Sequence, residues 1–153
     1  MPRWFSPPCW EPGAAAASGS QCWCGKIGCL ETWISGRGFE RDYQHFSGER
    51  LSGPEIVQLA RDGDCLAVTT LERLVDRLGR ALAMVCNPLD PDIVVVAGGL
   101  SNVREIFEGV SDAVSRYIFS GEWAGRVAPA AWGDASGVRG AARLWPLLEQ
   151  CNH

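Results

Sequence analysis

The sequence predicts an α/β domain, and three observations carry that prediction. A compact β-branched run, Ile93-Val94-Val95-Val96, stands between amphipathic helical segments. A second, weaker strand candidate at Arg126 to Trp132 is again followed by a helical segment. Apolar residues make up 46% of the 153 residues and charged residues 21%, enough apolar surface to offset the entropy of folding one domain. Helices that alternate with strands are the pattern of an α/β architecture.

The elements follow in chain order. Pro2, Pro7, Pro8 and Pro12 fix φ and remove backbone donors, and Gly13 to Ser20 is a small-residue stretch, so residues 1–21 are expected to be loop. Trp4, Phe5 and Trp10 in that loop need a surface to pack on, either this domain's own core or a partner. Leu30 to Phe46 reads as a helix weakened by Gly36 and Gly38. Ser52-Gly53-Pro54-Glu55 has the form of a capping box with proline in the first turn, and starts a short helix to about Arg61. A longer helix is expected from about Asp64 to Asn87. Leu71, Leu74, Val75, Leu78, Leu82 and Val85 recur there at helical spacing, and Pro88 is expected to stop it.

The run from Asp92 to Ala97 is apolar on both faces, as in a buried central strand. Gly98-Gly99 breaks it. Ser101 or Asn102 is placed to cap a helix that carries Val103, Ile106, Phe107, Val110, Val114 and Tyr117 on one stripe. A turn over Gly133 to Gly137 precedes a final helix from about Val138 to Leu148.

Composition excludes several function classes. The net charge is −4 and no basic run is present, so nucleic acid is not an expected partner. No stretch approaches the ~18 consecutive apolar residues of a membrane span, and no membrane association is expected. No basic segment followed by an apolar one marks a secretory signal. Seven cysteines without such a signal argue against a disulfide framework and for a cytoplasmic chain.

Three of those cysteines fall within eight residues, in Cys22-Trp23-Cys24-Gly25-Lys26-Ile27-Gly28-Cys29-Leu30-Glu31. Thiolates at this spacing converge on one ion if the backbone turns sharply between them, and Gly25 and Gly28 permit that turn. Zinc suits thiolate sulfur and takes four ligands in structural sites. A metal site is therefore expected at Cys22, Cys24 and Cys29, the alternative being free or redox-active thiols. Cys9, His45 and His153 are the candidates for a fourth ligand within the chain. Cys65, Cys86 and Cys151 read as small apolar residues or spectators.

The segment Cys22 to Thr32 resembles the CxCGxxGCxE zinc signature of the ROK family of bacterial sugar kinases and sugar-responsive repressors. The resemblance continues in Asp90 to Gly99 and in Gly133 to Ala142. Glu31 to Gly38, Ser47 to Glu55 and Arg143 to Pro146 look most like the fructokinase (manno(fructo)kinase) branch. It implies the C-terminal domain of a two-domain, actin-like (ribonuclease H-like) ATPase fold over residues 22–150, with sugar and ATP bound between the domains.

By this resemblance Cys22, Cys24 and Cys29 are structural zinc ligands, and the family's fourth ligand, a histidine, would precede the first residue. Glu31 would hydrogen-bond sugar hydroxyls, whereas by position alone a carboxylate at a helix start stabilises the helix dipole. Gly98 and Gly99, before a helix N-terminus, would border the ATP pocket.

The Asp-x-Gly-Gly-Thr phosphate loop and the segment bearing the family's catalytic aspartate do not occur in the sequence. The expectation is therefore a portion of a hexose kinase, fructose being the expected substrate and ATP with magnesium serving the complete enzyme. No catalytic residue is assigned to this chain, and the chain alone is expected to be inactive. A homodimer, a missing N-terminal domain and a split-gene partner remain open as assemblies. The alternative is a non-catalytic, zinc-stabilised sugar-sensing or interaction domain.

Overall fold

The long helix expected after residue 64 organises the computed structural model, which describes residues 20–144 apart from Ser120 and Glu122. The expected loop over residues 1–21, with Trp4, Phe5 and Trp10, lies almost wholly outside the described residues. In chain order the elements are α1 (Glu31–Ile34), α2 (Gly36–Ser47), α3 (Gly53–Arg61), α4 (Cys65–Leu89), β1 (Ile93–Val96), a 3-10 turn (Gly99–Asn102), α5 (Arg104–Ser115), β2 (Arg126–Pro129), a second 3-10 turn (Gly133–Ala135) and α6 (Ser136–Arg143).

Asp64 caps α4 by accepting from the Ala67 N–H at 2.8 Å. Leu71, Leu74 and Leu78 then bury one stripe of the helix. Ile106, Val110 and Val114 answer from α5 at helical spacing, all of them fully buried. Ile56 and Val57 of α3, with Phe39 and Tyr43 of α2, close the same core from the other side. Full burial of one such aliphatic side chain contributes about 1.5–3 kcal/mol.

Gly79 lets α5 pack closely on α4. A Cβ there would overlap Ala113 Cβ and lie 2.7 Å from the Ala113 carbonyl carbon. Overpacking at such a contact costs about 1–3 kcal/mol. Gly79→Leu is thus expected to lower the urea midpoint clearly, and an unchanged midpoint would show that the two helices are not in contact at this position.

The structure corrects four sequence expectations. The segment after the cysteines is two helices, because Ser35 turns extended (φ −102°, ψ 166°) and its side chain caps α2 by accepting from the Gly38 N–H at 3.1 Å. Pro88 does not stop α4. It sits next to last in the helix, where its missing N–H removes a single ladder bond. The stop comes at Asp90, whose φ of 41° turns the chain out while its N–H closes on the Cys86 carbonyl at 2.8 Å.

Neither Ser101 nor Asn102 caps α5. The residue before that helix is Val103, and Ser101 Oγ donates instead to the Gly98 carbonyl at 2.6 Å. Finally, β1 is not a buried central strand. It pairs in parallel with β2 alone among the described residues, from Ile93↔Arg126 to Val96↔Pro129. Val94 and Val127 pack against the core, while Ile93 and Val95 are 43% and 57% exposed. A central strand needs neighbours on both edges and cover on both faces, and the described residues give β1 one of each.

Candidate metal and sugar site

The cysteine segment folds as a small knuckle whose shape follows from its glycines. Gln21 and Ile27 form an antiparallel bridge, and Cys22 N–H donates to the Lys26 carbonyl at 2.8 Å. Gly25 and Gly28 take φ of 83° and 71°, a region closed to most side chains, and so make the two reversals. Thr32 then fastens the end of the knuckle to α1: its N–H and its hydroxyl both donate to the Cys29 carbonyl, at 2.9 and 2.7 Å.

These reversals bring three thiols together. The sulfurs of Cys22, Cys24 and Cys29 all lie within 4.8 Å of one another, with Cys24 Sγ to Cys29 Sγ at 3.6 Å. Zinc–sulfur bonds of about 2.3 Å in a tetrahedron separate the sulfurs by about 3.8 Å. The donor set and its spacing therefore fit a zinc ion. Without metal the thiols share hydrogen bonds unequally. The Lys26 backbone amide, followed by its two cysteine neighbours, holds the Cys24 thiol below its ordinary range. The hydrogen bond with Cys24, and burial after it, pushes Cys29 up to about 11.

No fourth ligand joins the three cysteines among the described residues. His45 is exposed near the end of α2, its ring edge-on to Phe46 with centroids 4.9 Å apart. Cys9 and His153 lie outside the described residues, as does Cys151. Cys86 is buried among apolar groups, as expected of a small core residue, and desolvation raises its pKa; Cys65 is exposed.

Glu31 stands in the first turn of α1, immediately after the knuckle, with its side chain exposed. It lines a cleft of about 320 Å³ together with Gln21, Cys22, Thr32, Arg37 and Arg41. Sequence reasoning missed the two arginines. The signal was present in Ser35-Gly36-Arg37-Gly38-Phe39-Glu40-Arg41, where Phe39 marks the buried face of α2 and the arginines fall off it.

Gly98 and Gly99 lie elsewhere in the chain, at the end of β1. Gly98 has φ of 78°, and a Cβ on either glycine would meet no heavy atom within 4 Å. The 3-10 turn they begin packs on the one at Gly133–Ala135, where a Cβ on Gly133 would lie 3.2 Å from Asn102 Oδ1. Two motifs that are far apart in sequence thus meet at one end of the β1–β2 pair.

The ROK family model matches residues 13–147. The N-acetyl-D-glucosamine kinase of Citrobacter koseri is 41% identical over 124 residues, which are 81% of this chain and 41% of that protein. The enzyme of the same name from Vibrio atlanticus is 39% identical over 80% of the chain. The chain spans about two-fifths of the length of these curated relatives.

Among solved structures, a ROK glucokinase from Streptomyces griseus in complex with glucose and AMPPNP matches with a TM-score of 0.76 at 28% identity, over 83% of this chain and 47% of that one. A ROK hexokinase from Thermus thermophilus matches with a TM-score of 0.69 at 31% identity, over 82% of this chain and 44% of that one. These neighbours agree with the expected actin-like ATPase fold. The curated relatives give no support to the fructokinase branch. Among the described residues no helix is long and apolar enough to cross a membrane. With its family model covering nearly all of its length, the chain belongs to the ROK family.

Proposed function

We propose that this chain is the sugar-binding part of an ATP-dependent hexose kinase. Zinc held by Cys22, Cys24 and Cys29 would clamp the knuckle, and Glu31, two residues beyond its last ligand, would accept hydrogen bonds from the sugar hydroxyls. The observation that carries this reading is the position of Glu31. The Thr32–Cys29 clamp fixes the backbone beside it, and Glu31 lines a cleft large enough for a small ligand. A carboxylate on a fixed backbone accepts from two vicinal hydroxyls with only its own side-chain rotamers left to order.

The relatives named for N-acetylglucosamine favour that hexose over the expected fructose. The AMPPNP-bound neighbour supports ATP as the phosphoryl donor. Gly98 and Gly99 are proposed to border the nucleotide, because backbone without side chains lets a phosphate or a base approach closely. Magnesium would accompany ATP, as phosphoryl transfer requires charge neutralisation at the β- and γ-phosphates. The phosphate loop and the catalytic aspartate would be supplied by an N-terminal domain, on the same polypeptide or on a partner.

Two assays test this reading. With N-acetylglucosamine, glucose or fructose, the chain alone is expected to form ADP from ATP at the background rate, and robust turnover would place the catalytic base within these residues. Glu31→Gln keeps the shape and removes the charge. Losing a charge-assisted hydrogen bond is expected to weaken hexose binding about tenfold or more. Unchanged affinity would remove Glu31 from the site.

A further inference from the structure

The three thiols of the knuckle are not equivalent. Cys22 is buried, only 6% exposed, and its N–H is tied to the Lys26 carbonyl. Cys24 is exposed, and Cys29 lies between these extremes. The reversals at Gly25 and Gly28 fold the chain back between Cys24 and Cys29, and their sulfurs share a hydrogen bond at 3.6 Å. A disulfide bond is about 2.05 Å long, so these two sulfurs have about 1.5 Å to close, at an exposed contact.

Cys22 is a poorer partner for either. A single residue separates it from Cys24, a spacing at which an unstrained disulfide is hard to close. Its burial also keeps an oxidant in solution away from it. Oxidation of cysteine follows thiolate character and exposure, and it stops at a reversible disulfide where a second thiol is in reach. Ligation to a metal keeps a cysteine deprotonated, and Cys24 adds the exposure and Cys29 the second thiol.

We propose that Cys24 and Cys29 are a reversible redox modification site, converted to a disulfide by a peroxide with loss of the metal from the knuckle. Cys24 Sγ attacks one peroxide oxygen: an S–O bond forms, the O–O bond breaks and hydroxide leaves. Cys29 Sγ then attacks Cys24 Sγ: the S–S bond forms, the S–O bond breaks and a second hydroxide leaves. The two sulfurs give up two electrons, the two peroxide oxygens take them, and solvent protonates both hydroxides to water. Cys22 is then the one thiolate left of the three, too few to hold zinc. The loss of metal rests on the zinc site proposed above; the disulfide stands on the thiols alone.

The test treats the zinc-loaded chain with hydrogen peroxide in the absence of reductant. Released zinc is followed with a chromogenic chelator, and the cysteines are mapped by mass spectrometry after free thiols are blocked and the chain is digested with trypsin. Cleavage after Lys26 separates Cys24 from Cys29, so their disulfide joins two peptides that the digest otherwise keeps apart. About one zinc is expected to leave per disulfide formed, and dithiothreitol with added zinc should restore both the thiols and the metal. Fragmentation of the joined peptides should place the bond on Cys24. The bond should persist in Cys22→Ser and vanish in Cys24→Ser.

Thiols that stay reduced under peroxide would overturn the proposal. So would a link through Cys9, Cys22 or Cys65 in place of this one, or sulfinic and sulfonic acids at Cys24 and Cys29 without the link. A Cys24–Cys29 link that forms while zinc stays bound, or in a chain that never takes up zinc, would uphold the disulfide and sink the metal assignment, so the two failures are distinct.

Discussion

Replacing Cys22, Cys24 and Cys29 together by serine is expected to take zinc content from about one ion per chain to none. Serine keeps the size and removes the thiolate that zinc prefers. The knuckle has little else to hold it, since the described part of it consists of one bridge, a few backbone bonds and Thr32 on the Cys29 carbonyl. Ligand binding to the native state stabilises by mass action, about 4 kcal/mol when free metal is a thousandfold above the dissociation constant.

Chelation of the wild-type protein should therefore lower its melting temperature, and the triple variant should melt at the chelated temperature with or without zinc. Loading should also weaken as the pH falls, because the thiols must lose their protons to bind and Cys29 holds its proton up to about 11 in the free cluster. Elemental analysis decides the matter: full zinc content in the triple variant would sink the assignment of the site.

The second large effect is expected at Asp42. Its carboxylate bridges two arginines of α4, and the side chains of Asp42 and Arg77 are only 11% and 8% exposed. Arg73 also lies over the Phe46 ring at 4.4 Å and Arg77 over the Trp33 ring at 5.0 Å, so the pair ties α1 and α2 to the long helix. Removing one partner of a buried ion pair leaves its charge uncompensated and costs about 3–5 kcal/mol.

Asp42→Ala should accordingly lower the denaturant midpoint by a large fraction of the total stability, which is only about 5–15 kcal/mol for a typical domain. Asp42→Asn keeps an acceptor oxygen and should lose less. A wild-type midpoint for Asp42→Ala would show that the bridge does not hold these helices together. The same variant should disturb the Glu31 cleft, since α2 also carries Arg37 and Arg41.

What the sequence disclosed follows from the range of the interactions involved. The capping box at Ser52 and Glu55 and the Leu71–Leu74–Leu78 stripe of α4 are local and were readable within a turn or two, although Val85, expected on the same stripe, is 45% exposed. The cysteine spacing was readable for the same reason, since glycine at two reversals is a short-range requirement. Ile106, Val110 and Val114 of the α5 stripe were read correctly, whereas Tyr117 falls beyond the helix and is exposed, and the cap was missed because Ser101 found the Gly98 carbonyl instead of the helix.

The exposure of Ile93 and Val95 could not be read from the run itself, because an apolar strand states what it prefers and not which layers surround it. The Asp42–Arg73–Arg77 bridge spans 31 and 35 residues and left no local trace. Arg37 and Arg41 were visible as residues but not as lining one cleft with Glu31, because that requires the bend at Ser35.

Titration of N-acetylglucosamine into the zinc-loaded chain, for wild type and Glu31→Gln side by side, tests most directly the claim that a metal-clamped carboxylate binds the sugar. Saturable binding by wild type, weakened about tenfold or more in the variant, is the predicted result. Equal affinity in both proteins, or no binding of any hexose by the wild type, would contradict it.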